Sequence, residues 1–379
     1  MKLLFIVNVD WFFISHRLPI AKKALESGYE VTIASRFTEY KAELSEMGFN
    51  VIDIPFNRSG SGLSSEINTI KTIKRVIEEV QPSIIHAVTI KPVLYTGLAL
   101  KVVKRDIPFV AAISGLGYVF TANSLRAKIT KLIASAFYKV ALAQKNKTVI
   151  FQNSSDEDIL TDVAHLKVVD KTLIKGSGAD LFIYNYLPEN INGTIKVVMA
   201  CRLLKEKGVY QYVEAAKIVK GQHPNAEFLL VGTPDLENPN SIQQNEIDSW
   251  VKQGLVTYLG HRCDIPDVFA NSNIVCLPSF YGEGVPKVLI EAAACGRAIV
   301  TTDNPGCRDA VIEGETGITV PIRDAKALAT AILKLIGQPE LRVAMGAKAR
   351  VFAEKEFDVN SVVNKHLEIY NNLLSRVEK

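Results

Sequence analysis

The chain is short of the features that mark several common functional classes. Its 379 residues hold five cysteines, at 201, 263, 276, 295 and 307, with no C-x-x-C spacing. That odd, scattered set argues against a disulfide framework or a cysteine-ligated zinc site and fits a reducing, cytoplasmic setting. No apolar run reaches the roughly 20 residues of a membrane span. The opening "MKLLFIVNVDWFFISHRL" is broken by Asp10, followed by His16 and Arg17, and has no small-residue cleavage site, so it reads as a buried strand rather than a signal peptide. No G-x-G-x-x-G follows that strand, which disfavours a dinucleotide oxidoreductase. No nucleic-acid-binding motif and no internal repeat are found.

What remains is an ordinary globular composition, 48% hydrophobic and 22% charged, in a chain long enough for two domains. The net charge of +4 hides an asymmetry. Residues 1–180 carry 23 Lys/Arg against 17 Asp/Glu, and the remainder 21 against 23. Within 57–150 the count is 14 against 4. Solvated helix faces explain such a surplus, and so does attraction to an anionic phospholipid surface or a phosphorylated substrate; both readings stay open.

Strand and helix patterns alternate. "LLFIVNV", "EVTIAS", "VIDIPF", "SIIHAV", "PFVAAIS" and "KTVIFQN" read as strands, separated by stretches of helical spacing such as "SHRLPIAKKALESG" and "INTIKTIKRVIEEV". The Gly-, Asn- and Pro-rich stretch from 176 to 194 breaks the series, and a second one follows with "KVVMAC", "EFLLVG", "VTYLG", "NIVCLPS" and "AIVTT". The expectation is two doubly wound α/β domains facing each other across a cleft, each with a parallel sheet, ligands lying beyond the carboxyl ends of the strands. The boundaries expected are 1–180 for the first domain, 181–195 for a linker, 196–355 for the second domain, and 356–379 for a C-terminal helix.

Candidate site residues cluster in the second half. In "YGEGVPKVLIEAAACG", residues 281–296, Pro286 suits a first helical turn, Glu283 and Gly284 fall in the loop before it, and Glu291 lies about one and a half turns inside. Free N–H groups at such a helix start favour phosphate, glycines admit close approach, and two acids can grip two hydroxylated groups of one anionic ligand. On spacing alone, an acid at a helix dipole and an exposed helix acid explain the pair as well. In "ACRLLKEKG", Arg202 and Lys207 end a strand on the same expected sheet edge, a fork and a point charge for phosphate oxygens.

These stretches, with "VTYLGHRCDIPDVFANSNIVCLPSF", "GRAIVTTDNPGCRDAV" and "GETGITV", resemble retaining glycosyltransferases of family 4, which have the GT-B fold. The resemblance implies transfer of a sugar from a nucleotide diphosphate with anomeric configuration kept and without a metal. It implies that Glu283 contacts the transferred sugar and supports catalysis, that Glu291 binds the ribose, and that Arg202 and Lys207 hold the diphosphate. Backbone amides near Gly284 and Val285 would meet donor phosphate or sugar. "DED" at 156–158 matches a metal-linked D-x-D pattern, but it reads better as acids opening a helix.

The first half, through "FFISHRLPIAKKALESGYEVTIAS" and "ISGLGYVFT", resembles a bacterial subgroup acting on undecaprenyl-diphosphate-linked sugars in surface polysaccharide assembly. Two departures stand out. "NVDWFFISHR" replaces the family's glycine-rich turn, and Ser114 stands where many members carry histidine. Acceptor contacts are expected from His16, Arg17, Gly115 and Gly117; a helix-start histidine and a surface arginine are the alternative reading of the first two. His86, within an apolar strand, is expected to be packed and hydrogen-bonded. The basic helix at 124–144, with Arg126, Lys128, Lys131 and Lys139 and no acid, is expected against an anionic membrane or simply on the sheet. The reading as a whole is a peripheral enzyme on the inner face of the cell membrane, moving an N-acetylhexosamine such as GalNAc from its UDP form to a lipid-linked saccharide. It expects no cofactor and no nucleic-acid partner. A sugar-nucleotide epimerase on this fold, or a nonenzymatic partner in glycan assembly, is the alternative. Donor, linkage and oligomeric state are left open.

Overall fold

A computed structural model describes residues 1–56, 62–103, 105–117, 125–191, 193–235 and 237–376, without the side chains of 63 and 125–129. The chain divides into two compact units, one formed by Met1–Ser177 with the segment from Asn360 onward, the other by Gly178–Val359.

The first unit is built on seven strands: β1 (Lys2–Val7), β2 (Glu30–Ser35), β3 (Asn50–Asp53), β4 (Ile84–Val88), β5 (Phe109–Ala112), β6 (Lys147–Phe151) and β7 (Lys171–Leu173). They pair in the order β3-β2-β1-β4-β5-β6-β7, all parallel. β1, β4, β5 and β6 are apolar nearly throughout and buried, as a sheet covered on both faces requires. The strand order reverses between β1 and β4, the position where doubly wound sheets open a crevice at their carboxyl edge.

The second unit repeats the plan with six strands: β8 (Lys196–Ala200), β9 (Glu227–Val231), β10 (Thr257–Gly260), β11 (Ile274–Leu277), β12 (Ala298–Thr302) and β13 (Gly317–Val320). Their order is β10-β9-β8-β11-β12-β13, again parallel, with the reversal between β8 and β11.

Three local readings change. The helix expected over "SHRLPIAKKALESG" is two helices, Asp10–His16 and Leu18–Glu26. Arg17 between them sits at φ −131°, and Pro19 lacks the N–H that would continue the first helix. Pro286 is the cap before the helix Lys287–Ala294 rather than part of its first turn. Residues 181–195, read as a linker, lie within the second unit. Arg350 donates to the carbonyls of Tyr184 at 2.8 Å and Ala294 at 2.7 Å, and Arg342 donates twice to Glu189, at 2.8 and 2.6 Å. Asn273 also donates to Glu189, at 2.8 Å. The C-terminal helix Val359–Ser375 begins at the seam and belongs to the first unit from Asn360 on.

Candidate active site

In the second unit the candidate residues meet at the β8/β11 reversal. Arg202 follows β8 by two residues, and Lys207 ends a short 3-10 turn, Lys205–Lys207. Glu283 follows β11 on the loop that enters the helix Lys287–Ala294. Lys207 Nζ lies 2.5 Å from a Glu283 oxygen, and the Ser279 hydroxyl donates to the other oxygen of the same carboxylate. Burial opposes the Lys207 charge, but Glu283 outweighs it, and the ammonium is held above its ordinary value. It is therefore fully charged at neutral pH. Arg202 is more exposed and reaches Asp235 at 3.1 Å.

The loop carrying Glu283 is fixed from beneath. Asn304 donates to the Tyr281 carbonyl, and Thr302 to that of Ser279. Gly306, at φ 82°, packs its backbone onto the carbonyls of Glu283 and Gly284, where a β-carbon would collide with both. Only glycine combines that dihedral with that approach. Gly284 and Val285 are buried between this loop and the helix start.

Glu291 is nearly buried, and Tyr184 donates a 2.6 Å hydrogen bond to it from the stretch read as a linker. Lys287 stands 3.4 Å from the same carboxylate. Burial lifts the Glu291 pKa above its usual value, with Lys287 and Tyr184 pulling the other way. The neighbouring thiols of Cys201 and Cys307 are pushed by burial to about 12, so neither is a thiolate nucleophile at neutral pH.

The structure thus brings Lys207 to Glu283, sets Arg202 on the adjoining strand end, and gives Glu291 a different partner. Ser279, Asp235 and Tyr184 were not identified from the sequence. Tyr184 had one signal, the aromatic content of "LFIYNYL" inside a supposed linker; Ser279 and Asp235 had none.

The first unit holds the other candidates. His16 stacks on Phe12, with centroids 4.2 Å apart and rings 6° from parallel, and its Nδ1 lies 3.3 Å from the Phe12 carbonyl. Arg17 is buried, contrary to its reading as a surface side chain. It donates to the His16 carbonyl at 2.9 Å and reaches the Ser114 hydroxyl at 3.5 Å, which ties the residue after the first helix to the turn after β5. Its Nε is buried without a hydrogen-bond partner, and Arg17 pairs with no carboxylate among the described residues. Burial lowers its pKa to about 10, so it remains a cation. Gly115 and Gly117 of that turn have φ of 109° and 67°.

The residues that replace the glycine-rich turn have a structural task. Asp10 is buried and accepts from the backbone N–H of Thr38, Glu39 and Tyr40 at 2.7–2.9 Å, and from the Thr38 hydroxyl at 2.7 Å. Burial raises its pKa, but these bonds prevail and hold it below the ordinary value. Thr89, following β4, adopts φ 75°, rare for a β-branched residue.

His86 is fully buried, with Nδ1 2.6 Å from the Tyr370 hydroxyl and its ring 5.6 Å from that of His366. Asp156 and Glu157 lie in the first turn of the helix Ser154–Ala164, capped by Asn153. No cluster of three metal-ligating side chains occurs among the described residues. Of the basic helix, Lys131 and Lys139 are described, while the side chains of Arg126 and Lys128 lie outside the described residues.

Comparison with known proteins agrees with this architecture. Residues 194–338 match a family model described as "Glycosyl transferases group 1", and residues 2–153 one described as "Glycosyl transferase 4-like". Over the full length of both chains, the protein is 28% identical to the N,N'-diacetylbacillosaminyl-diphospho-undecaprenol alpha-1,3-N-acetylgalactosaminyltransferase of Campylobacter jejuni. It is 25% identical to the capsular polysaccharide biosynthesis glycosyltransferase CapM of Staphylococcus aureus, over 86% of each chain. The solved structure of HepE from Anabaena in complex with UDP matches at a TM-score of 0.76 and 20% identity, covering 98% of this chain and all of that one. The chain carries glycosyltransferase domains of these two types and has the GT-B fold.

Proposed function

We propose that this glycosyltransferase works in surface polysaccharide or glycan assembly. It moves an N-acetylhexosamine, such as GalNAc, from its UDP form to a polyprenyl-diphosphate-linked saccharide, with retention of configuration and without a metal. The observation that carries the transfer reading is the contact of Lys207 with Glu283 at the β8/β11 reversal, with Arg202 beside it. As the donor bond breaks, negative charge gathers on the leaving diphosphate. Lys207, Arg202 and the N-terminus of the helix Lys287–Ala294 are placed to stabilise that charge. Lys207 also holds Glu283, which in this reading contacts the transferred sugar. Glu291, reached by the phenol of Tyr184, is the ribose-binding acid in this reading.

The acceptor contacts proposed are His16, Arg17, Gly115 and Gly117 at the carboxyl edge of the first sheet. The UDP donor and lipid-linked acceptor are supported by the Anabaena structure with UDP and by the named activity of the Campylobacter relative. No helix among the described residues is long and apolar enough to cross a membrane. The lipid-linked substrate named for the Campylobacter relative supports a peripheral position on the cytoplasmic face.

The test incubates purified protein with UDP-, GDP- and ADP-sugars and short polyprenyl-diphosphate-linked GlcNAc-type acceptors, with Glu283→Ala beside it. A mass-shifted lipid from one donor, lost in the variant, supports transfer. Donor isomerisation without acceptor would overturn transfer in favour of epimerisation.

A further inference from the structure

A second chemical feature lies away from these residues, at the opposite edge of the first sheet. The helix Leu125–Ala141 is the crossover from β5 to β6. In a parallel sheet such a helix starts on the side of the carboxyl edge, here following the turn with Gly115 and Gly117 in the chain, and runs back to the amino edge, where Lys147 opens β6. Leu132, Ile133, Phe137 and Val140 on it are exposed, Leu132 to 73%. At about 100° per residue they share one sector of about 140°. Lys139 borders that sector and Lys131 lies further round on the same side, and no Asp or Glu occurs between Asp106 and Asp156.

At the far end of this helix is a cavity of about 590 Å³ lined by Lys145, Lys147, Lys167, Val169, Asp170 and Arg376, among others. Its one carboxylate is committed. Asp170 lies 3.1 Å from Lys147 Nζ in a buried pair. Lys145, Lys167 and Arg376 have no carboxylate partner among the described residues. At the rim, Val168 and Val169 are 82% and 65% exposed. Three uncompensated cations around a hollow call for a ligand with several anionic oxygens. Apolar side chains standing out beside them, and the exposed apolar face of the helix that ends at the same cavity, call for a partner that also has a hydrocarbon phase. An anionic bilayer offers both, phosphate at the surface and acyl chains beneath it.

We propose that this cavity seats the phosphate-bearing headgroup of an anionic phospholipid, with the exposed face of the helix Leu125–Ala141 lying in the membrane interface beside it. The inference rests on the peripheral-membrane reading given above and not on the transfer chemistry. It gives the helix two functional ends, the lipid pocket at one and the proposed acceptor turn at the other.

The experiment is vesicle co-sedimentation of the full chain with phosphatidylcholine alone and with equal parts phosphatidylglycerol. The native protein is compared with a pocket variant (Lys145→Gln, Lys167→Gln, Arg376→Gln), a rim variant (Val168→Ser, Val169→Ser) and a charge-matched control in the second unit (Lys217→Gln, Lys252→Gln, Lys326→Gln). Circular dichroism checks each fold. At about 1 kcal/mol per cation near such a surface, roughly fivefold in binding, the pocket variant is expected to bind anionic vesicles about a hundredfold more weakly. The control is expected to lose less than tenfold, and the rim variant to lose affinity without any change in charge. Equal losses in pocket variant and control would reduce the effect to net charge and overturn the pocket. Native-like binding by the pocket variant would overturn it while leaving the membrane reading intact. Failure of the native protein to bind anionic vesicles would overturn both. Glycerol phosphate that binds the pocket while vesicle binding is indifferent to the pocket variant would assign the site to a soluble anion and overturn the lipid assignment.

Discussion

The carboxyl edges of the two sheets handle charge in opposite ways. In the second unit each principal site charge has an internal partner: Lys207 with Glu283, Arg202 with Asp235, Glu291 with Tyr184 and Lys287. In the first unit Arg17 is buried with an unpartnered Nε and, among the described residues, no carboxylate partner, next to the neutral cluster of His86, His366 and Tyr370. Paired charges hold a geometry ready, and a ligand must compete for them. A buried cation without a counter-charge is costly to the fold and gains most when an anion arrives.

The comparison breaks most visibly at the paired edge. Glu283→Ala is expected to lower the transfer rate by about 10²–10⁴, and Lys207→Met by about 10²–10³, in steady-state assays at saturating donor. Arg202→Ala, at the more exposed pair, should cost less than Lys207→Met; the reverse order would show that the buried pair is not the centre of the site. Gly306→Ala is the next largest effect. Its β-carbon must push the Glu283 loop and adopt φ 82°, at about 1–3 kcal/mol, read as a lower thermal midpoint with loss of turnover.

Acidification separates the two units. Burial holds His366 at about 3 when folded, against 6.5 when free, and lowers His86 in the same direction. Below pH 6.5 the unfolded chain takes up protons that the folded first unit refuses. Stability is therefore full above that value and is lost as pH falls toward about 3. Asp10, with its lowered pKa, adds loss further down. Glu291 has the opposite sign, because a raised carboxyl pKa gives stability at low pH that is lost as pH rises through its titration. Amide protection in β1, β4 and β5, taken relative to the intrinsic exchange rate at each pH, should fall below pH 6.5 before that in β8 and β11, and His366→Leu should flatten the difference. Coincident loss of protection in both units would contradict it.

Smaller effects sharpen the contrast. Tyr184→Phe removes one hydrogen bond from Glu291 and should shift the donor KM a few-fold, about 0.5–1.5 kcal/mol, with little change in kcat. Arg17→Met should leave the thermal midpoint unchanged or slightly higher, because an apolar chain replaces an uncompensated cation, while the acceptor KM rises. A large destabilisation would mean that Arg17 is a structural clamp.

Much of this was legible because parallel sheets announce themselves. The apolar runs "LLFIV", "IIHAV" and "VVMA" admit few other readings, and Pro286 beside Gly284 pointed to a loop–helix junction before any contact was known. The rest depended on partners far apart in the chain. Tyr184 meets Glu291 across 107 positions, and Arg342 holds Glu189 across 153, so "LFIYNYLPEN" looked like a spacer although it is fastened to the second unit. Arg17 carried two readings, an acceptor contact and a surface side chain, because no local pattern distinguishes a solvated arginine from one tucked under a turn 97 residues on; its burial removes the second. Asp10 looked like an interruption, and only the fold shows that it collects four bonds from residues 38–40.

The placement of the C-terminal helix has a consequence for how the molecule is made. Tyr370, His366 and Leu373 fill the first unit, yet the chain emerging from the ribosome must first traverse all of Gly178–Val359. At 5–20 residues per second that interval lasts roughly 10–40 s. Over that time His86 lacks its phenol and the side of the first sheet that the helix will cover is bare. The nascent first unit is therefore an unfinished body waiting on its last segment, with an apolar surface that a chaperone can hold. The second unit, whose sequence is continuous, is able to fold first although it is synthesised later.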